Sequence, residues 1–186
     1  FTFIWFFGNG ITLWIPSFFI RIHEMESIEV GAWMALIYGL IAALGVYAGG
    51  AIATRYASGN DILQIRIMSF LLVIFSIVST CIYLVSNKYL SLSLMALGVL
   101  IAASINGPLF ALIQTHVDKQ MRAMAIAIIF LIANLIGLGL GPLAIGILSD
   151  ALQEKFGEQS LRYALALFSP GYFIAAIHLF LGGRSI

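Results

Sequence analysis

Six long stretches of the 186-residue chain carry no Asp, Glu, Lys or Arg, and short charged segments separate them. The uncharged runs are Phe1–Ile20, Val30–Thr54, Ile67–Asn87, Tyr89–Val117, Ala123–Ser149 and Tyr163–Gly183. Each reaches or exceeds the ~20 residues an α-helix needs to cross a bilayer's hydrocarbon. The ten-residue alternation of a barrel strand is absent. The pattern predicts an all-α membrane protein with six transmembrane helices, over residues 1–20, 31–54, 67–87, 90–116, 123–148 and 163–182.

The connections are short and their charges set an orientation. Arg55, Arg66, Lys119, Arg122 and Arg184 fall on one side, and Arg21, Lys88, Lys155 and Arg162 on the other. The richer side is expected in the cytoplasm, which puts Phe1 and the carboxy-terminus there. Ser149 or Asp150 is expected to cap a separate amphipathic segment over Asp150–Phe156, and Ser160 to cap the sixth span.

Composition supports lipid as the main solvent. Hydrophobic residues make up 62% of the chain, charged residues 9%, and mean hydropathy is +1.07, against about 25% charged residues in soluble domains. A net charge of +1 offers nothing to nucleic acid. The single cysteine, Cys81, can form neither an internal disulfide nor a metal cluster and reads as a small apolar residue. The chain opens FTFIWFF, without Met or a basic leader, as if already inside a span, so it is read as part of a longer protein.

Glycine and proline stand where a soluble helix would exclude them. The most apolar run contains GLGLGP, Gly137 to Pro142. In water a helix loses about 1 kcal/mol per glycine and about 3 per internal proline. All four prolines, Pro16, Pro108, Pro142 and Pro170, lie inside predicted spans. In a membrane bundle neighbouring groups satisfy the freed carbonyls, and glycine lets backbones approach. Gly137 with Gly141, and Gly45 with Gly49, have the spacing of packing pairs; static packing and a moving hinge both remain open. The fifth helix is expected to be thin on more than one side, to sit between two helix layers and to bend at Pro142.

Catalytic signatures are missing: no His-Glu-x-x-His, no phosphate loop with Lys, and no paired carboxylates within a span. The chain is therefore read as no enzyme, with no cofactor and no metal. His178 lies deep in the last span, where a structural role outweighs a functional one; His23 and His116 sit at helix ends. Trp5, Asn9, Thr12 and Pro16 recur at three- and four-residue spacing and share one face. Asn106, Phe110, Ile113 and Gln114 share roughly one face of the fourth span, with Ser104 nearby. Asn9, Asn106 and Asn134 should point into the protein, since a lipid-facing amide is costly; interhelical hydrogen bonds and substrate contacts remain alternatives. Ser69, Ser76, Ser79, Thr80 and Tyr83 in the third span read as structural, their hydroxyls bonding back to their own helix.

Several segments resemble the major facilitator superfamily, most narrowly its bacterial spinster-like members. Asn134–Asp150 (NLIGLGLGPLAIGILSD) is similar to that group's eleventh helix, Trp14–Met25 (WIPSFFIRIHEM) to the end of its seventh, Met121–Ala125 (MRAMA) to the start of its eleventh and Ser160–Leu165 (SLRYAL) to the start of its twelfth. The resemblance implies the carboxy-terminal six-helix half, residues 1–186, of a twelve-helix secondary transporter working by alternating access. It implies an amino-terminal half, the lipid bilayer and a small-molecule or lipid substrate as partners, with a coupling proton or sodium ion whose carboxylate this half lacks. An amphipathic lipid such as a lysophospholipid, or an organic anion, is the implied cargo; the bacterial inner membrane, with a cytoplasmic carboxy-terminus, is the implied location. A non-transporting membrane scaffold or subunit is the alternative.

Carried onto this sequence, the family's cavity helices give Trp5, Asn9, Thr12, Tyr38, Ser104, Asn106, Phe110, Gln114 and Asn134 as substrate-cavity candidates. Pro16, Gly45, Gly49, Pro108, Gly137, Gly141 and Pro142 are the gating or packing candidates, with Asn106-Gly107-Pro108 similar to a gating bend. Gly50 and Arg55 match the family's cytoplasmic loop motif, G-x-x-x-D-R-x-G-R-R, while Thr54, Ala57 and Ser58 depart from it.

Overall fold

The computed structural model describes residues 1–183; Arg184, counted above in the charge balance, lies outside the described residues. The described chain is helical throughout, in the order α1 (Thr2–Ile22), α2 (Ser27–Ala35), a π-helical turn (Leu36–Ile41), α3 (Ala42–Tyr56), α4 (Asp61–Leu84), α5 (Lys88–Thr115), α6 (Arg122–Phe156), a 3-10 turn (Gly157–Gln159), α7 (Ser160–Phe168) and α8 (Gly171–Gly182). Five segments are long and apolar enough to cross a membrane: Thr2–Ile22, Ser27–Tyr56, Asp61–Leu84, Lys88–Thr115 and a last one running from Arg122 to Gly182. The protein is an integral membrane protein of packed α-helices.

Polar side chains start the helices where the sequence leaves the apolar runs. Asn60 Oδ1 accepts from the Leu63 amide at 2.9 Å, and Asn87 Oδ1 accepts from the Tyr89 and Leu90 amides at 2.9 and 3.1 Å, which satisfies amides that a helix start leaves open. The loop ends carry one salt contact each. Lys88 Nζ lies 3.4 Å from Glu29, and His116 Nε2 lies 3.5 Å from Asp61.

The glycine question resolves into two tight crossings. The buried residues of α6 are Ala133, Gly137, Gly141, Ile145 and Ser149, an unbroken four-residue stripe. A Cβ on Gly137 would stand 2.8 Å from the Trp5 carbonyl oxygen, and one on Gly141 would stand 2.6 Å from that of Phe6 and 2.9 Å from the Gly10 nitrogen. Backbone therefore meets backbone where α6 crosses α1. The second crossing joins α3 to α5. A Cβ on Gly45 would lie 2.5 Å from the Leu100 carbonyl oxygen, and one on Gly49 would collide with that of Ser104. Close approach of this kind gives the dispersion contact that holds helices together in lipid.

Two intrahelical prolines also anchor neighbours. The Trp14 indole Nε1–H donates to the Pro142 carbonyl at 2.9 Å, and Gln64 Nε2 donates to the Pro108 carbonyl at 2.7 Å. Helices α1, α5 and α6 continue through Pro16, Pro108 and Pro142.

Five expectations change. Helix α6 runs unbroken to Phe156, so neither Ser149 nor Asp150 caps a separate segment; Ser149 is buried and its hydroxyl lies 3.2 Å from that of Ser160. Ser160 sits inside α7 and donates to Gln153 Oε1 at 3.1 Å instead of capping. The stretch expected as one helix over 163–182 is broken at Ser169–Pro170. The physical reason is Pro170, which has no N–H to donate to the helical ladder; beside it Ser76 Oγ of α4 donates to the Ser169 carbonyl at 3.3 Å, and the Ser79 and Ser169 hydroxyls lie 3.0 Å apart. Of that hydroxyl set, Ser69 and Thr80 bond back to carbonyls of α4, while Ser76 and Ser79 reach Ser169. Finally, α6 buries one face only; a Cβ on Gly139 would meet nothing within 4 Å.

His23 closes α1 against Phe18 and Phe19, its ring stacked on Phe19 at 5.5 Å. Its Nε2 is buried without a hydrogen-bond partner among the described residues. Burial first, then the charges of Arg162 and Lys88, hold its pKa below the usual histidine value of 6.5.

Two outcomes follow from these contacts. Gly141→Val should lower stability by about 1–3 kcal/mol through overpacking, read as a reduced thermal midpoint of the purified protein in detergent, whereas Gly139→Val should leave it unchanged. Because the folded His23 binds its proton less readily than the unfolded one, its contribution is complete above pH 6.5 and is lost as pH falls below that value. Thermal midpoints measured between pH 7.5 and pH 5 should drop more steeply in the parent protein than in His23→Gln.

Candidate functional site

Where α1, the π-turn, α4, α5 and α8 converge, they leave a cavity of about 260 Å³. Trp5, Gly8, Asn9 and Thr12 supply the α1 wall, at the three- and four-residue spacing of one helix face. Tyr38 and Ala42 enter from the π-turn and the start of α3, and Asn106 with Ala102, Ala103 and Ile105 from α5. Leu72 and Phe75 of α4 and Tyr172 of α8 form the far side.

The cavity brings together Trp5, Asn9, Thr12, Tyr38 and Asn106 from the sequence-derived set. The other four lie elsewhere. Ser104 is buried, donates to the Ile101 carbonyl at 2.7 Å, and lines a separate narrow gap of about 20 Å³ with Gly49, Gln64 and Pro108. Phe110 stacks on Phe130 with centroids 5.3 Å apart and tilts against Phe1. Gln114, near the end of α5, is half-buried and outside the cavity. Asn134 Nδ2 donates to the Phe130 carbonyl of its own helix at 2.8 Å. The reason is angular: α6 turns its Ala133–Gly137–Gly141 face to α1, and Asn134 falls about 100° away from it.

Tyr172 was not among the sequence candidates. It is only 3% exposed, and its ring packs edge-on against Phe75 with centroids 4.6 Å apart. A Cβ on Gly8 would stand 3.6 Å from its hydroxyl oxygen. Its signal in the sequence was a lone tyrosine just after Pro170, in a span assigned to the periphery.

Electrostatically the lining is neutral. Among the described residues it contains aromatic rings, amides and hydroxyls but no Asp, Glu, Lys, Arg or His. Asn9 Nδ2 is buried and lacks a hydrogen-bond partner among the described residues, pressed against the bare face of Gly137. An unpaired buried amide costs about 1–3 kcal/mol, so this end of the wall is not built for packing alone. His178 takes no part: it is exposed, with Nδ1 3.1 Å from the Ile174 carbonyl and its ring 4.8 Å from Phe3. The groove it lines with Phe1, Ile4, Ile65 and Leu109 is apolar. Gly50 and Arg55 lie in the last turns of α3; Thr54, in the place of the motif's aspartate, donates to the Gly50 carbonyl at 2.9 Å, and Arg55 packs over Tyr56. No group of three or more His, Cys, Asp or Glu residues gathers for a metal among the described residues.

No protein-family model matches the chain. In sequence it is 33% identical over 160 residues to an MFS-type efflux pump of Mycolicibacterium smegmatis, an alignment covering 86% of this chain and 37% of that protein. In structure it superimposes on a bacterial homologue of the human lysosomal transporter Spinster. The match has a TM-score of 0.83 to the inward-facing occupied form, at 19% identity, and covers 100% of this chain and 47% of that one. The inward-facing unoccupied form gives 0.82 at 18% identity, over 99% of this chain and 46% of that one. The chain thus spans about half the length of these transporter structures and just over a third of the curated relative. In fold, along its full length, the chain matches about half of that bacterial Spinster homologue, and in sequence, along most of it, it is similar to part of an MFS-type efflux pump.

Proposed function

We propose that this chain is the carboxy-terminal half of a secondary active transporter, and that the α1–α5 cavity is its share of a central substrate site. The six predicted spans then form one bundle, which rocks against an amino-terminal half to expose the site to each side in turn. The observation that carries the reading is the convergence of Trp5, Asn9, Thr12, Tyr38 and Asn106 on one space inside an otherwise apolar bundle. Polar groups within a membrane protein are retained at a cost and mark pathways and sites. The efflux pump related at 33% identity supports transport as the activity.

Chemistry narrows the cargo. Rings and neutral hydrogen-bonding groups suit an amphipathic molecule with an extensive apolar part, and a lysophospholipid fits that description. An organic anion would need its balancing cation from the amino-terminal half, because this wall has none. The same holds for coupling to a proton or sodium ion: among the described residues no carboxylate lines the cavity. The bacterial inner membrane, with a cytoplasmic carboxy-terminus, is the setting this reading adopts.

Cysteine placed singly at Asn9 and Asn106 of the full-length transporter tests the proposal. A membrane-impermeant maleimide should label both, and an NBD-labelled lysophospholipid should slow labelling several-fold. Asn9→Leu should weaken binding of that probe by about five- to tenfold, the worth of one hydrogen bond. If both cysteines resist the reagent from either side of the membrane, these residues face packing or lipid and the chain serves as a scaffold instead.

A further inference from the structure

The second membrane-crossing rod, Ser27–Tyr56, is interrupted at its centre. The Ala42 amide donates to the Ile37 carbonyl five residues back, and the turn Leu36–Ile41 is wide. Such turns amount to one residue inserted into an α-helix and gather at functional positions.

The buried face explains what the extra residue does. In α2 and the turn the buried residues are Val30 and Ile37; in α3 they are Gly45 and Gly49. Val30 and Ile37 stand seven positions apart, which returns a regular helix to within about 20° of its starting direction. Ile37 and Gly45 stand eight apart, and a regular helix would carry Gly45 about 80° away from Ile37, and Gly49 about 120° away. With one residue absorbed by the wide turn, both offsets shrink to about 20°. The π-turn thus keeps the two halves of the rod buried on one common side.

The two halves are held very differently. In α3, Gly45 and Gly49 are pressed against the α5 backbone, with no room for a Cβ. In α2, Val30 is the one buried residue of nine, and its charged tie to the bundle is the Glu29–Lys88 contact. Between them, Gly39 has open space: a Cβ there would meet nothing within 4 Å. Tyr38, next to it, is on the cavity wall.

We propose that the π-turn at Leu36–Ile41 is the bending point of the second span, at which α2 swings over the cavity and takes Tyr38 with it while Gly45 and Gly49 keep α3 fixed to α5. This deepens the transport reading and rests on it. One consequence is unusual for a membrane helix: deleting Gly39 should not break the fold. The deletion reduces the Ile37–Gly45 separation to seven, so a regular α-helix then serves the same buried face, and the bending point is gone.

The test uses the full-length transporter in proteoliposomes, with spin labels at Ile28 and Leu90, exposed positions at the ends of α2 and α5, and separately at Tyr47 and Leu97, exposed positions on α3 and α5. In the parent protein, adding NBD-labelled lysophosphatidylcholine should shift the Ile28–Leu90 distance distribution and leave the Tyr47–Leu97 distribution unchanged. In the Gly39 deletion the protein should purify as the parent does, the Ile28–Leu90 distribution should be single and unresponsive, and uptake of the probe should fall at least tenfold. An Ile28–Leu90 distribution that is single and unresponsive in the parent, a deletion variant that misfolds, or one that transports at the parent rate overturns the bending point. Failure of the parent itself to bind and move the probe counts separately, against the lysophospholipid reading of the site; the parent's unliganded Ile28–Leu90 distribution still decides the bending point, a single narrow peak overturning it and a broad or two-peaked one upholding it.

Discussion

Backbone-to-backbone contact at glycine is the constraint on which the rest of this bundle depends. Lipid supplies no hydrophobic force to drive one helix onto another, so association rests on how closely two rods can approach. Gly137 and Gly141 let α6 lie on α1 at Trp5, Phe6 and Gly10, and Gly45 and Gly49 let α3 lie on α5 at Leu100 and Ser104. Both pairs are four residues apart, one helical turn, so each forms a groove along its helix. The two crossings tie four of the rods in pairs, and α4 joins them through Gln64 to Pro108 and through Ser76 and Ser79 to Ser169.

The cavity is the space these crossings leave. Helix α1 turns Gly10 towards α6 and lines the cavity with Trp5, Asn9 and Thr12, so one helix serves both packing and site. Helix α5 divides the same way between Ser104, against α3, and Asn106, on the cavity wall. A bulky residue at Gly137 would displace Asn9 as well as α6, since the two are in contact. Packing and recognition are therefore coupled through the same few turns. The charged groups are kept at the rod ends, where Lys88 meets Glu29 and His116 meets Asp61, and the interior wall is neutral.

Much of this was legible in the chain itself. Charge-free runs long enough to cross hydrocarbon can only be helices or barrel strands, because lipid satisfies no backbone polar group. That these runs form helices followed from the pattern, and the four-residue spacing of Gly45 with Gly49 and of Gly137 with Gly141 marked where two helices come close, though spacing alone left packing and hinge open. The α1 face carrying Trp5, Asn9 and Thr12 was readable for the same reason, since it needs only the helical period.

The tertiary structure decided what depends on angles between elements. Whether Asn134 meets the cavity or its own Phe130 carbonyl depends on how α6 is rotated, and the glycine crossing sets that rotation. Hydroxyls on α4, ninety residues away in the chain, meet Ser169 where the last rod is interrupted, and Tyr172 just beyond lies on the cavity wall. The π-turn brings two buried faces that are one residue out of register onto one side of the rod. Local sequence determines which rods form, because each residue's backbone must be satisfied within its own segment; which side of each rod faces the site is settled only when the rods press against one another.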